Sequence, residues 1–545
     1  MPTRLAWIAF PLAAFYAVLV RLWHDAPVLD DYYTVLLSVV SMLDAESARE
    51  WLAAVFAQHN EHRVATVRLA ARAVDALFGR VDFRALVLLG DLTFTGVFLL
   101  MWAEFRATLT GPVLAAAAFV MFQWSYYEAA LWTSGGLTNM GVIFFSVACL
   151  YLALRDGLAA AVACVACALA AVGCSASGLL ALPVAAVACA STRRIPRAWL
   201  LGAIAVITWI AYFRGYARPP GHASPLAAFS DPLSAIQLFL VVIGGIVPRV
   251  EAAMACGVAI LGALAWLTWK GAWKAHPTAA AWIAFLVVSA GAAAAGRAGW
   301  GVFHASRYAI YSTCLVVLVL LGWHEITRPW SRRTMALAVV ASIAFSLTVT
   351  WMSWPGVALY AVNTRLLAKP APPVEGAPVR YFGMTFPNLA ESARVLDEAA
   401  AHGVYSPREI PIHAASVKTI ASIPSSARIA GHLDEVRVTG NRIAAVGWTE
   451  TPATVPGRTF AIFPADAVPQ GAKVRVVDRS DAARVVGDAR LVSSGFEIEL
   501  EYPSEGAARR IAQTLCLVVE APGQPPAVLS RSAVSCVPMP ERRGA

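Results

Sequence analysis

Charged residues are scarce in this chain, and they are nearly missing from long stretches of its first 355 residues. Asp, Glu, Lys and Arg make up 14% of the 545 residues, whereas hydrophobic residues make up 59%. A soluble protein of this length needs a more polar surface than that. The composition therefore excludes an ordinary soluble enzyme and predicts a multi-pass membrane protein with room for a second domain.

Glycine-rich phosphate-binding motifs are missing as well. The sequence has no Walker A loop, no dinucleotide-binding glycine fingerprint and no serine-hydrolase nucleophile elbow. ATP-driven transport is therefore disfavoured, and no nucleotide cofactor is expected. Basic stripes interleaved with aromatic residues are also missing. We attribute the net charge of +9 to loops that face anionic lipid, and we expect no nucleic-acid partner.

Cysteine is present at nine positions, but seven of them lie inside apolar segments. Cysteine behaves there as a small hydrophobic residue. Cys516 and Cys536 lie in the more polar C-terminal part. They could form one disulfide if that part faces an oxidising compartment.

Eleven apolar segments predict membrane spans, because roughly 20 apolar residues cross a bilayer. The segments are 5–23, 84–103, 111–127, 137–154, 158–173, 177–191, 198–214, 252–269, 278–295, 308–323 and 334–354. The segment 232–248 is barely long enough to cross, and we interpret it as re-entrant or interfacial. With this choice the Arg-rich loops fall inside. The first loop and the C-terminal part then fall outside.

Three regions are predicted. Residues 1–355 form a polytopic α-helical membrane domain, in which the first external loop, 24–83, is structured and carries an amphipathic helix over 64–78. We place Arg68, Arg72 and Asp75 on the polar face of that helix. Residues 356–427 form a linker and helical connector, and residues 428–545 form a soluble β-sandwich domain. The strands are 435–439, 442–448, 459–463, 473–477, 496–501 and 515–519.

Two adjacent carboxylates, Asp30 and Asp31, follow the first span. Ionisable groups beside a bilayer are costly to desolvate and usually have a function. In an extended segment the two side chains would point to opposite sides. One of them could remove a proton from a reacting hydroxyl as a general base. The alternative is structural, with Asp31 capping a helix that begins near Tyr32.

His59, Glu61, His62 and Arg63 form a compact polar cluster in the same loop. The HExxH arrangement is missing, so we assign no metal ligands, although a divalent metal stays open as a cofactor. The planar guanidinium of Arg63 suits a phosphate group. The two His and Glu61 are candidates for substrate binding. The alternative for the whole cluster is a hydrogen-bonded cap of an interfacial helix.

A second cluster, Arg297, His304, Arg307 and Tyr308, lies in a later external loop. Two Arg could hold a lipid-linked phosphate, with His304 and Tyr308 binding substrate. The alternative is that both Arg extend to lipid headgroups.

Glu128 and Trp132 are further candidates on this side of the membrane. An acid beside aromatic residues suits a sugar ring, although aromatic belts are common at this depth. Asp91 lies inside the second span, where an acid is a functional candidate by default.

These features together resemble the class C (GT-C) polytopic membrane glycosyltransferases. The resemblance is carried by the acids after the first span, the amphipathic 64–78 helix and the terminal β-domain. Two motifs look like those of bacterial members of the class, namely Gln58–Arg63 and Ala305–Tyr308.

The resemblance implies transfer of a sugar from a polyprenyl-phosphate donor to a glycan, lipid or protein acceptor. Asp30 or Asp31 would be the base, and Arg63, Arg297 and Arg307 would hold the donor phosphate. It also implies a multi-pass protein of the bacterial inner membrane, with reaction and C-terminal domain on the periplasmic side. The alternative function is a non-catalytic transporter or flippase, or an assembly subunit, for lipid-linked glycans.

Overall fold

The computed structural model describes residues 2–219, 227–368, 389–405, 417–419, 422–423, 426–451, 458–463, 468–477 and 494–530. The chain divides into two compact units. The first takes in residues 1–23, 30–357 and 401–405, and the second takes in 24–29, 358–400 and 406–545.

The first unit is helical, and the last of its helices continues beyond Val357 into residues of the second unit. Its α-helices are α1 (Pro2–Leu22), α2 (Ser38–Leu43), α3 (Ala48–Phe56), α4 (Ala65–Phe78), α5 (Phe83–Phe105), α6 (Gly111–Met121), α7 (Tyr127–Leu131), α8 (Thr133–Ala153), α9 (Leu158–Cys174), α10 (Ala181–Ser191), α11 (Ile195–Phe213), α12 (Ala227–Ser230), α13 (Pro232–Gly244), α14 (Val250–Trp269), α15 (Pro277–Ala295), α16 (Ala309–Thr327) and α17 (Arg332–Ala368). A π-helical segment, Tyr32–Leu37, precedes α2, and short 3₁₀ segments cover Ala176–Leu180, Ala298–Trp300 and Ser306–Tyr308.

Seven of the described helices are long and apolar enough to cross a membrane. They are α5, α8, α11, α14, α15, α16 with its preceding turn, and α17 up to Ala361. Each coincides with one of the predicted spans to within one residue or extends beyond it, which supports the prediction of a membrane protein. The other four predicted spans correspond to apolar helices of 10–17 residues. At 1.5 Å per residue, α6 is only about 16 Å long, against roughly 30 Å of hydrocarbon. Eleven crossings therefore stay a prediction.

The first loop, 24–83, contains the π-helical segment and the three helices α2, α3 and α4. The predicted amphipathic helix is confirmed as α4. The predicted polar face is wrong at two positions, because Arg68 and Asp75 are both buried. Arg68 is 4% exposed and does not lie on a solvated face. Its guanidinium donates to the carbonyl oxygen of Val55 at 3.0 Å and to that of Ala57. Arg68 therefore ties α4 to the end of α3.

Helices α13 and α14 cross at two glycines whose backbones nearly touch. A Cβ on Gly257 would overlap the carbonyl oxygen of Leu240, and a Cβ on Gly244 would overlap that of Ala253. Such crossings are typical of membrane helices, where small residues allow close packing.

We expect Gly257→Ala to destabilise the helical unit by about 1–3 kcal/mol, because the added methyl group forces the two backbones apart. Gly262→Ala is the matched control, since nothing lies within 4 Å of its Cβ position in the same helix. The control should be neutral or slightly stabilising. Thermal unfolding of the detergent-solubilised protein measures both effects, and equal midpoints for the two variants would contradict the tight crossing.

Three helices are held together at the ends away from the first loop by a buried network around His276. Its Nδ1 lies 3.3 Å from Glu104 Oε1, and its Nε2 lies 3.7 Å from Glu325 Oε2. Glu104 also pairs with Arg155 at 3.0 Å. The network joins the beginning of α15 to the end of α16. It therefore constrains both helices, and Arg297 and Arg307 lie next to their opposite ends.

The second unit contains one mixed sheet of eight described strands in the order β1-β4-β7-β8-β2-β3-β6-β5. The strands are β1 (Val417–Thr419), β2 (Arg428–Thr439), β3 (Arg442–Thr449), β4 (Thr459–Phe463), β5 (Gly471–Val477), β6 (Gly495–Glu501), β7 (Cys516–Glu520) and β8 (Ala527–Ser530). Two helices belong to the C-terminal part, α18 (Leu389–Ala401) and α19 (Glu505–Thr514). All six predicted strands are confirmed within two residues, except that β2 begins earlier.

The sheet curls over its own core. Phe460 of β4 and Phe496 of β6 have ring centroids 4.8 Å apart, although four strands separate β4 from β6 in the sheet order. The inward residues of β3 and β6 alternate with outward ones and share that core. A curled mixed sheet is thus present, while two separate layers stay a prediction. Cys516 on β7 is disulfide-bonded, and Cys536 lies outside the described residues.

Candidate functional site

The predicted polar cluster of the first loop is built on a tight turn. The backbones of His59 and His62 exchange two hydrogen bonds, of 2.8 and 2.9 Å. Asn60 inside the turn has φ +49°, a left-handed conformation that Asn tolerates better than most residues. The turn places the side chains of His59, Glu61 and His62 next to one another.

Asp30 and Asp31 occupy different environments. Asp30 keeps 27% of its side chain exposed, and its Oδ1 lies 3.4 Å from His59 Nε2. Asp31 is fully buried. Leu29, just before them, has φ +48°. This is a strained conformation for a bulky residue, and such strain is often retained at functional sites.

The structure revises the local prediction for Asp31. Its backbone is helical rather than extended, and its side chain makes no capping hydrogen bond to the segment that follows. Instead Oδ1 accepts hydrogen bonds from the backbone N–H of Ser134 at 2.8 Å and from its hydroxyl at 2.5 Å. Asp31 therefore fixes the start of α8 against the first loop.

The two arginines from the later loop reach the same cluster. Arg297 donates to Glu61 Oε1 at 2.6 Å, and Glu61 Oε1 also lies 3.5 Å from His62 Nε2. The Nε of Arg297 is buried and has no hydrogen-bond partner in the described part of the chain. A guanidinium with an unused donor is suited to a further anionic ligand.

Tyr308 connects the two arginines. The guanidinium carbons of Arg297 and Arg307 lie 5.4 and 5.1 Å from the centre of its ring, within the range of cation–π attraction. Arg307 pairs with Glu128 at 3.3 Å. The backbone N–H of Glu128 in turn donates to the Ser306 hydroxyl at 3.0 Å.

One continuous cluster thus runs from Asp30 to Glu128. Comparison of the chain with protein-family models, curated proteins and solved structures finds no match. The candidate functional site is therefore this cluster, which we call the acid–arginine cluster. Its members are Asp30, His59, Glu61, His62, Glu128, Arg297, Arg307 and Tyr308. Asp30 also interacts electrostatically with Arg307, so both predicted groups share one side of the unit.

Three other predicted site residues have structural contacts. Arg63 donates to three backbone carbonyls, those of Phe56, Tyr212 and Arg214, at 2.7–2.8 Å. His304 Nε2 donates to the carbonyl of Gly245 at 2.8 Å. Trp132 is 8% exposed. Their predicted ligand roles stay predictions, and the proposal below does not depend on them.

His62 is held as a neutral imidazole. Its Nδ1 accepts the backbone N–H of Ala176 at 3.2 Å, so the proton lies on Nε2, which faces Glu61. Burial lowers the pKa of His62 from 6.5 to about 4, against the opposing effect of the Glu61 carboxylate. At neutral pH His62 therefore adds no positive charge to the acid–arginine cluster.

We expect the free energy of unfolding to fall as the pH is lowered from about 6.5 to about 4. In that interval the unfolded chain binds a proton at His62 and the folded chain does not, so acid favours unfolding. The loss from this residue should reach roughly 3 kcal/mol. His62→Gln should flatten this part of the profile, whereas His304→Gln should leave it in place. An unchanged profile in His62→Gln would contradict the assignment.

Two functional neighbours, Ser134 and Ser306, were missed by sequence reasoning. Ser134 holds Asp31, and Ser306 orients Glu128. Ser134 lies close to Trp132 and directly before two glycines, and Ser306 lies between Ala305 and Arg307. Both local sequences also fit ordinary helix ends. For Ser306 the sequence offers one indication, since it directly precedes Arg307 and Tyr308 at the start of an apolar segment. For Ser134 it offers none.

A metal site does not emerge from the described residues. None of their His, Cys, Asp and Glu side chains form a group of three or more that could hold a metal ion. His59, Glu61 and His62 are adjacent, but Glu61 is already paired with Arg297.

Proposed function

We propose that this protein is a membrane glycosyltransferase of the GT-C kind. It moves a sugar from a polyprenyl-phosphate donor to a cell-surface glycan, lipid or protein acceptor. The observation that carries the proposal is the acid–arginine cluster, in which a partly exposed carboxylate and two arginines lie together at one end of apolar helices. Such a site offers a proton acceptor and an anion-binding region within reach of a lipid carrier.

Asp30 is the general base in this proposal. The acceptor hydroxyl gives its proton to the Asp30 carboxylate while its oxygen bonds to the anomeric carbon of the sugar. The bond between that carbon and the phosphate oxygen breaks, and the polyprenyl phosphate leaves with the electron pair. Asp31 is unsuited to this step because it is fully buried and already bonded to Ser134. His59, 3.4 Å from Asp30, orients the carboxylate.

Arg297 and Arg307 bind the donor phosphate. Each is held by a carboxylate, Glu61 or Glu128, which keeps the side chain in place before the donor arrives. The buried Nε of Arg297 supplies a donor that none of the described residues uses. Charge-assisted hydrogen bonds to the phosphate stabilise the leaving group as its negative charge develops. Tyr308 spaces the two guanidinium groups.

The topology in this proposal has eleven crossings, with the acid–arginine cluster and the C-terminal domain on the periplasmic side of a bacterial inner membrane. The disulfide at Cys516 supports an oxidising compartment for the second unit. The curled sheet, with Phe460 against Phe496, supports a sandwich-like domain. Impermeant thiol labelling of Cys516 in intact spheroplasts, with and without reductant, tests this side of the topology.

The proposal is tested by reconstitution. The purified protein is placed in liposomes with synthetic polyprenyl-phosphate sugars, and products are followed by mass spectrometry. Transfer of the sugar to an added glycan or lipid acceptor, with release of free polyprenyl phosphate, is the expected result. Movement of intact donor across the bilayer without release of polyprenyl phosphate would favour the transporter alternative and reject the enzyme.

A further inference from the structure

Asp91 is a buried acid that sugar transfer does not use. It is the ninth residue of α5, a helix long and apolar enough to cross a membrane. At 1.5 Å per residue it lies about 12 Å from the beginning of the helix and about 21 Å from its end. The beginning of α5 is the end nearer to the acid–arginine cluster, because the carbonyl of Phe83 accepts the Thr133 hydroxyl beside Ser134.

The Asp91 side chain has no hydrogen-bond partner in the part of the chain that the structure describes. The residue is 2% exposed, and both carboxyl oxygens are buried. Two phenols lie near it, those of Tyr16 and Tyr126. Their hydroxyls are already engaged, with Thr95 Oγ1 at 2.8 Å and with the carbonyl oxygen of Met121 at 2.7 Å.

A negative charge at this position would be uncompensated. Among the described residues, no charged side chain interacts with Asp91. Moving an unpaired carboxylate from water into an apolar interior costs far more than a folded protein can tolerate, so such a group takes up a cation. The cation is either a proton or a metal ion.

The surroundings favour the proton. Hard metal ions take about six oxygen ligands, whereas the two phenols near Asp91 are already hydrogen-bonded to other groups. The described residues also hold no group of three or more acidic, His or Cys side chains suited to a metal.

We propose that Asp91 is an intramembrane proton-binding site whose proton exchanges with the aqueous phase on the side of the acid–arginine cluster. A neutral acid without a hydrogen-bond partner is still unfavourable there relative to an apolar residue. An acid retained inside a membrane segment at such a cost points to a function that needs titration.

The site adjoins a close helix contact. Gly90, the preceding residue, packs against the backbone of Gly136, with 3.4 Å from its Cβ position to the Gly136 Cα. Gly136 lies in the first turn of α8, which also carries the Ser134 that binds Asp31. Proton binding and release at Asp91 would therefore act on the junction of α5 and α8. This goes beyond sugar transfer and does not require it.

Infrared difference spectroscopy tests the proposal on the full-length protein in lipid. At neutral pH the wild type should show the C=O band of a protonated carboxylic acid, and the band should shift when H₂O is replaced by D₂O. Asp91→Asn should lose the band. Glu104→Gln is the matched control, because the Glu104 side chain is only 7% exposed but is paired with Arg155 and His276, and this variant should keep the band.

The readouts are independent of glycosyltransferase activity, so failure of the proposed function leaves them intact. A band that is missing in the wild type, that persists in Asp91→Asn or that does not shift in D₂O would overturn the proposal. The thermal stability of the wild type could instead rise with NaCl but not with choline chloride, and this rise could be lost in Asp91→Asn. That result would show that Asp91 binds a metal ion rather than a proton. If Asp91→Asn does not fold, the wild type is produced with ¹³C in the side-chain carboxyl groups of its aspartates, and the C=O band should shift. An unshifted band would show that the protonated acid is not an aspartate and would reject Asp91.

Discussion

Asp30→Asn should lower the rate of sugar transfer by a factor on the order of 10²–10⁴, the usual contribution of a general base. Asn keeps the size and a hydrogen-bond acceptor but cannot take the hydroxyl proton. The side chain is partly exposed, so folding should change little. Initial rates in the liposome assay measure the effect, with thermal unfolding recorded in parallel.

Asp31→Asn is the informative comparison, because the two acids are adjacent in sequence but differ in burial. It weakens the acceptor for the Ser134 N–H and hydroxyl, and the expected effect is a loss of stability of about 1–3 kcal/mol. Asp156→Asn, whose side chain is 90% exposed, should change neither quantity. If Asp30→Asn retained full transfer with an intact fold, Asp30 would not be the base.

Arg297→Met should raise the KM for the lipid-linked donor by about 10–100-fold, equivalent to the loss of a hydrogen bond to a charged group. The substitution also leaves Glu61, with 24% of its side chain exposed, without its arginine partner. The double variant Arg297→Met/Glu61→Gln removes that charge and should recover stability but not donor affinity. Arg297→Lys should recover only part of the affinity, because an ammonium lacks the planar fork.

Arg307→Met should act in the same direction, since Arg307 lies on the same Tyr308 ring. Arg437→Met is a suitable control, because this arginine is 71% exposed and pairs with Glu435 in the second unit. Initial rates over a range of donor concentrations separate KM from kcat. An unchanged donor KM in both Arg297→Met and Arg307→Met would rule out the phosphate-binding role.

The positions of helices and strands could be predicted from the sequence where the element buries only one of its faces. Strand β3 alternates buried and exposed residues, and this period of two is visible in the sequence. Helix α4 showed its 3.6-residue period in the same way. The short strands β1 and β8 were missed, because three or four residues are too few for periodicity to be recognised. The ten-residue helix α19 was missed as well.

Individual side-chain contacts followed less well. Arg68 and Arg63 are arginines near a membrane surface, and solvent or ligand contact was the natural prediction. Arg68 instead holds backbone carbonyls of a neighbouring segment. Arg63 also donates to backbone carbonyls, and its phosphate-binding role stays a prediction. A guanidinium has five donors, and the sequence does not say which orphan carbonyls the fold brings near it. Asp31 was equally ambiguous until Ser134, 103 residues later, proved to be its partner.

The sequence by itself determined that this is a membrane protein with a C-terminal β-domain, because hydrophobic runs and local periodicities record burial directly. It also placed acids and arginines in loops that the predicted number of crossings puts on the same side of the membrane. Only the tertiary structure decided that Asp30 is partly exposed while Asp31 is buried, and that Arg297 and Arg307 meet Glu61 and Glu128. Those contacts join residues far apart in the chain, and helix packing rather than local propensity selects them.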